Sequence, residues 1–233
     1  MLRARVLAVL MLVLASELLI ACGEDLPDPP AGARRIRIET ADGEMLTAIE
    51  VGRGRRVAVL SHGVTGTKED FYGLAAALAA DGWRVFAYDA RGAGTSTGAP
   101  EADREEDLRA VVDHARATGG KAVLLAGGSV GASLSISMAR ELEAGAVVSL
   151  SAPAGAFDAL EAARELRGSI PVFVAAAREN QPFATDARAI AAAMAVSPTI
   201  VDGDGHGSGM LRDHPELIQE ILAFADGSVA GRP

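Results

Sequence analysis

The chain has 233 residues, 49% of them hydrophobic and 23% charged, with a formal net charge of −9. This length leaves about one domain once an N-terminal export segment is set aside, and an acidic balance without a basic stripe argues against nucleic acid, whose phosphates need clustered Lys and Arg. The single cysteine, Cys22, excludes an intrachain disulfide and a Cys/His metal site.

In chain order, Arg3 and Arg5 precede an apolar run over residues 6–16, which ends near Leu19-Ile20-Ala21-Cys22-Gly23. This is the layout of a secretory signal. Its last residues resemble a bacterial lipoprotein lipobox, and that resemblance implies cleavage after residue 21 and lipidation of Cys22. A signal peptide over 1–21 and an extracytoplasmic protein held to a membrane of the cell envelope by lipid are then expected. An uncleaved anchor and an ordinary signal with a chance cysteine are the alternatives, and Glu17 departs from the apolar pattern. Residues 22–33, rich in Pro, Gly and acids, read as a flexible tether. The folded domain is expected over 34–228.

Arg35-Ile36-Arg37-Ile38-Glu39 alternates, residues 41–44 turn, and 45–51 return, which predicts a β-hairpin. Residues 57–60 are a short apolar run typical of a buried strand. The pattern then alternates: helix 71–80, strand 83–88, helix 101–118, strand 121–126, helix 131–142, strand 146–150, helix 157–166, strand 171–176, helix 184–195, strand 198–201 and helix 215–224. Such alternation predicts an α/β fold with a mostly parallel sheet covered on both faces, and the leading hairpin adds an antiparallel edge.

Two stretches satisfy G-x-S-x-G: Gly127-Gly128-Ser129-Val130-Gly131 and Gly94-Thr95-Ser96-Thr97-Gly98. A nucleophile elbow needs a buried strand entering a sharp turn and then a helix. Ser129 has Val123-Leu124-Leu125-Ala126 before it and Ala132-Ser133-Leu134-Ser135-Ile136 after it. Ser96 lies beyond its strand, with Pro100 close behind, so it belongs to a loop. Ser129 is therefore the candidate nucleophile, against the plain alternative of a Gly-rich strand–helix turn.

With Ser61-His62-Gly63-Val64 after one strand and Asp89-Ala90-Arg91-Gly92-Ala93-Gly94-Thr95-Ser96 after the next, the chain resembles the α/β-hydrolase family over nearly all of 35–226. The resemblance implies an oxyanion hole formed by the backbone N–H groups of Val64 and Val130, two fixed donors where a carbonyl oxygen becomes negative. Gly92-x-Gly94 also permits a dinucleotide reading, but the third glycine spacing and a following helix are missing. No metal or organic cofactor is implied.

Among the histidines, His206 sits in Asp202-Gly203-Asp204-Gly205-His206-Gly207-Ser208-Gly209 after the last strand, where this fold carries its base. His62 belongs to the oxyanion turn, His114 to an amphipathic helix and His214 to a helix start. The acid that orients the imidazole is expected between Ser129 and His206, in Ala177-Arg178-Glu179-Asn180-Gln181-Pro182-Phe183. By resemblance the acid aligns with Asn180, which carries no charge. Glu179 is the expected acid, with Asp186 and Asp158 as alternatives and Asn180 itself as a weakened site.

Only about twenty residues separate the strands at 146–150 and 171–176, too few for a large lid. The compact form resembles dienelactone hydrolase-like and small carboxylesterase relatives, and an open site for small or surface-displayed esters is expected. A thioesterase or peptidase on the same fold, or a binding lipoprotein without catalysis, are the other readings, because fold does not name substrate.

Overall fold

The computed structural model describes residues 27–100 and 102–229. Arg34–Glu39 (β1) and Met45–Gly52 (β2) form the antiparallel hairpin. There follow Arg56–Ser61 (β3), Tyr72–Ala80 (α1), Arg84–Tyr88 (β4), Arg104–Ala117 (α2), Ala122–Gly128 (β5), Val130–Met138 (α3) and Ala146–Leu150 (β6). Ala159–Leu166 (α4), Val172–Ala177 (β7), Phe183–Met194 (α5), Thr199–Val201 (β8), Met210–Asp213 (α6) and Glu216–Val229 (α7) complete the order. The eight strands make one sheet in the order β1-β2-β4-β3-β5-β6-β7-β8. β2 meets β4 antiparallel, and every pairing from β4 to β8 is parallel.

The period of two in each strand builds two cores. Val57 and Val59 of β3, Phe86 and Tyr88 of β4, and Val123 and Leu125 of β5 face α2 to α5. Their neighbours Ala58, Leu60, Val85, Ala87, Leu124 and Ala126 face α1 and α7. Successive side chains leave a strand on opposite faces, so a strand apolar on both faces belongs between two helical layers. The helices bury one stripe each: Leu108, Val111, Val112 and Ala115 of α2 are fully buried. Asp103 caps α2, its Oδ1 accepting from the Glu106 N–H at 3.2 Å, which sets the start three residues later than expected.

Other elements also differ from expectation. α7 runs to Val229 because Leu217, Ile221, Ala225 and Val229 continue one buried stripe, past the polar residues that suggested an earlier end. α3 stops at Met138 rather than residue 142. The short α6 carries too few residues for a periodic pattern and was not foreseen.

From β3 the chain steps outward to β4 and then returns to β5, on the other side of β3, before running on to β8. The carboxyl ends of β3 and β5 therefore flank the point where the winding direction reverses, where open α/β sheets leave a crevice. Between β6 and β7 lie only a turn at Ala156–Asp158 and α4, so no lid covers that crevice. Among the described residues no helix is long and apolar enough to cross a membrane. The expected signal over 1–21 and Cys22 lie outside the described residues.

Candidate active site

Ser129 stands between β5 and α3 with φ 54° and ψ −123°, a conformation that costs a non-glycine residue strain. The flanking glycines allow the turn by close approach. A Cβ on Gly127 would lie 2.2 Å from the carbonyl of Gly131, and one on Gly131 would lie 2.2 Å from the Ser61 carbonyl oxygen. The G-x-S-x-G spacing is thus a packing requirement of β3, β5 and α3 meeting at one point. The Ser129 N–H donates to the Leu150 carbonyl at 2.8 Å, tying the turn to the end of β6.

The other G-x-S-x-G is structural. Ser96 Oγ donates to the Asp89 carbonyl and accepts from the Thr47 N–H, both at 2.8 Å. Gly94 is glycine because a Cβ there would lie 2.2 Å from Oδ2 of buried Asp89. That carboxylate takes the Lys68 N–H at 2.9 Å and Lys68 Nζ at 2.7 Å, so the turn's close approach serves an aspartate and not a phosphate. Arg91 binds fully buried Asp107 through Nε at 2.8 Å and Asp42 through its outer nitrogens, joining α2 to the hairpin turn.

After β3, His62 is buried and locked at both ring nitrogens. Nε2 accepts from the Ala90 N–H at 2.9 Å, so Nδ1 carries the proton and donates to the Gly63 carbonyl at 2.6 Å. Burial pushes its pKa below the ordinary value, in keeping with a neutral ring. The Gly63 carbonyl also accepts from the Gly66 N–H at 3.3 Å, and Arg104 reaches the His62 carbonyl at 3.2 Å. In a planar trans peptide the N–H opposes the C=O, so pinning the Gly63 carbonyl turns the Val64 N–H the other way. Among the described residues no hydrogen bond takes up the N–H of Val64 or of Val130. Val64 is 51% exposed at the rim of the site.

His206 approaches from the loop after β8. Gly207, at φ +56°, sits so close that a Cβ there would lie 3.4 Å from Gly128 Cα and from the Ser129 nitrogen. Ser129 and His206 line one open cavity of about 370 Å³, with Val64, Gly63 and Asp70 in its walls. A second cavity of about 630 Å³ shares Asp70, His206 and Ser208 with it and is walled further by Glu69, Tyr72 and Arg212. The His206 ring packs on Phe183, with centroids 4.3 Å apart, and desolvation lowers its pKa.

The expected acid is corrected by the geometry. His206 Nδ1 lies 2.8 Å from Asn180 Oδ1, whereas Glu179 is exposed and makes no hydrogen bond to the ring. Both residues stand in the turn that follows β7, where Asn180 meets the histidine and Glu179 is exposed. The Glu179 N–H is spent on the Gly203 carbonyl at 3.0 Å, which fixes that orientation. Asp186 lies inside α5, accepting from the Ala154 N–H at 3.1 Å, and Asp158 is exposed before α4. His214 binds Glu216 and the Asp202 carbonyl, and half-buried His114 packs edge-on against Phe86.

Asp70, Lys68 and Arg104 escaped the sequence reading. They occupy polar stretches at element starts, where a buried or cavity-facing charge looks like any surface charge. Among the described residues no group of His, Cys, Asp and Glu has the arrangement of a metal site.

None of the curated proteins compared matches the chain. Solved structures do. The esterase Pf2001 of Pyrococcus furiosus superimposes with a TM-score of 0.73 at 17% identity, covering 84% of this chain and 92% of its own. XC6422 from Xanthomonas campestris, described as an α/β serine hydrolase without lid, gives 0.69 at 21% identity over 89% of this chain and 100% of its own. The thioesterase domain from the curacin biosynthetic pathway gives 0.63 at 16% identity over 82% and 99%. At such identities the likeness speaks for the fold, which is the α/β-hydrolase fold. The sequence signal is more specific, because the family described as serine aminopeptidase, S33, matches residues 52–207, from the end of β2 through the His206 loop. The turn after β3, the strained turn at Ser129 and His206 all lie within that stretch, and the chain belongs to that family of α/β hydrolases.

Proposed function

We propose that the protein is a serine hydrolase that cleaves small carboxylic esters through an acyl-enzyme on Ser129. The observation that carries this reading is the strained Ser129 elbow, open to one cavity with His206 and with the Val64 turn at its wall. In the proposed reaction Ser129 Oγ attacks the ester carbonyl carbon while its proton passes to His206 Nε2. The carbonyl π electrons move to the oxygen, which the Val64 and Val130 N–H groups receive. The C–O bond then breaks, His206 returns the proton to the departing alkoxide, and water repeats the sequence to release the acid.

The family description names peptide hydrolysis, yet an ester is favoured here. An amide demands more of the base and its conjugate acid, because its amine leaves only when protonated. Asn180 gives the imidazolium no charge to lean on. The polar walls supplied by Glu69, Asp70 and Arg212 favour short or polar acyl groups over long lipid tails. Export by residues 1–21 and membrane attachment through lipid on Cys22 belong to the same proposal and rest on the sequence.

Covalent labelling of residues 24–233 with a fluorophosphonate tests it. Labelling should vanish in Ser129→Ala and slow by about a hundredfold or more in His206→Ala. Parallel assays should find p-nitrophenyl acetate or butyrate hydrolysed far faster than amino-acid p-nitroanilides. Folded protein that takes no label, or Ser129→Ala that labels like the parent, would end this reading.

A further inference from the structure

The contact that departs most from expectation is an amide where a carboxylate was sought. Asn180 Oδ1 lies 2.8 Å from His206 Nδ1. An amide oxygen can only accept, so this contact selects the tautomer with the proton on Nδ1 and the lone pair on Nε2. The residue is held by its own backbone: its N–H donates to the Ala177 carbonyl at 3.2 Å, and its carbonyl accepts from the Ala184 N–H at 2.9 Å. The loop is fixed further by Arg178 Nε on Asp202 at 3.0 Å.

The charged groups around His206 come from every side. Glu69 and Asp70 precede α1, Arg212 belongs to α6, and Asp202 and Asp204 share the histidine's own loop. Asp213 of α6 lies 3.0 Å from where Gly205 would carry a Cβ, and Arg178 and Glu179 flank Asn180. Among the described residues none of these is hydrogen-bonded to the imidazole. Phe183 covers part of its face.

We propose that Asn180 is the positioning residue of this centre, a neutral amide that orients His206 as a base without making it a stronger one. The centre then trades turnover for a working range that extends into acid, where a carboxylate-paired histidine would already be protonated. This rests on the reading of Ser129 and His206 as nucleophile and base. Desolvation, with no carboxylate to oppose it, acts in the same direction on the ring.

The test is the pH dependence of fluorophosphonate labelling in the parent, Asn180→Asp and Asn180→Ala, with the His206 ring titrated by NMR in each and assigned against His206→Gln. The parent's acid limb should fall below pH 6.5, the ordinary histidine value. Asn180→Asp should move both the limb and the ring titration upward by about one unit or more and raise the plateau rate about tenfold or more. Asn180→Ala should lower the plateau about tenfold or more while melting near the parent. Limbs and rates that coincide in all three proteins would overturn the proposal, as would a limb that shifts in Glu179→Gln instead. If Ser129 labels in neither the parent nor Asn180→Asp, the hydrolase reading falls. The ring titration still decides whether Asn180 is the group that faces His206.

Discussion

At the scale of single residues, His62 and Asn180 do comparable work by different means. Each fixes a neighbour through one short hydrogen bond, His62 on the Gly63 carbonyl and Asn180 on the His206 ring. Removing the His62 ring strips the buried Ala90 N–H of its acceptor, a loss of about 1–3 kcal/mol. It also frees the peptide that aims the Val64 N–H. His62→Ala should therefore cut kcat by about tenfold to a hundredfold with KM little changed, as for a misplaced oxyanion donor. The same residue carries a pH signature. Its folded pKa is depressed by burial, so below about 6.5 the unfolded chain binds the proton the folded chain refuses. The parent's melting temperature should fall as pH drops through that value, and His62→Ala should lose that part of the slope. A parent slope that survives unchanged in the variant would assign it to other groups. The sequence pointed to Ser129 through the buried strand before it and the helix after it, and to His206 through the loop that follows the last strand. It favoured Glu179 for its charge, although the resemblance aligned the position with Asn180, and which of two neighbouring side chains meets the histidine is set by the turn and not by charge.

At the scale of elements, the decisive contact is the meeting of β3, β5 and α3. The chain threads them so tightly that Gly131 has no room for a methyl group beside the Ser61 and His62 carbonyls, the nearer 2.2 Å from a built Cβ. Gly131→Ala should destabilise the fold by about 1–3 kcal/mol and displace the elbow, so calorimetry and labelling should fall together. Retained labelling at parental stability would show that α3 can slide. Most element types were legible because the hairpin strands alternate, the inner strands are short apolar runs and the longer helices are amphipathic or Ala-rich. Their ends were less so. α7 continues under polar residues, since burial at every fourth position outlasts local polarity. The order β4-β3-β5 was not legible as such, because parallel neighbours are chosen by crossovers and core shape rather than by any local pattern.

At the scale of the whole molecule, two helical layers enclose one sheet, and the site opens at its carboxyl end without a lid. An uncovered site has nothing to unmask at a lipid–water boundary. Hydrolysis of a short-chain ester such as tributyrin should rise smoothly through its solubility limit, without a jump, and a jump would imply a covering segment that moves. The sheet's two margins have a consequence of their own. At one, β8 offers only three residues to any incoming strand. At the other, β1 carries Arg34, Arg35 and Arg37 in its six residues, all exposed. A second copy aligning parallel and in register along β1 would bring guanidinium groups against guanidinium groups, and along β8 it would find few amides to hold it. Charge at one margin and brevity at the other both work against templated strand addition when molecules crowd together, a form of self-avoidance written into the first and last strands of the sheet.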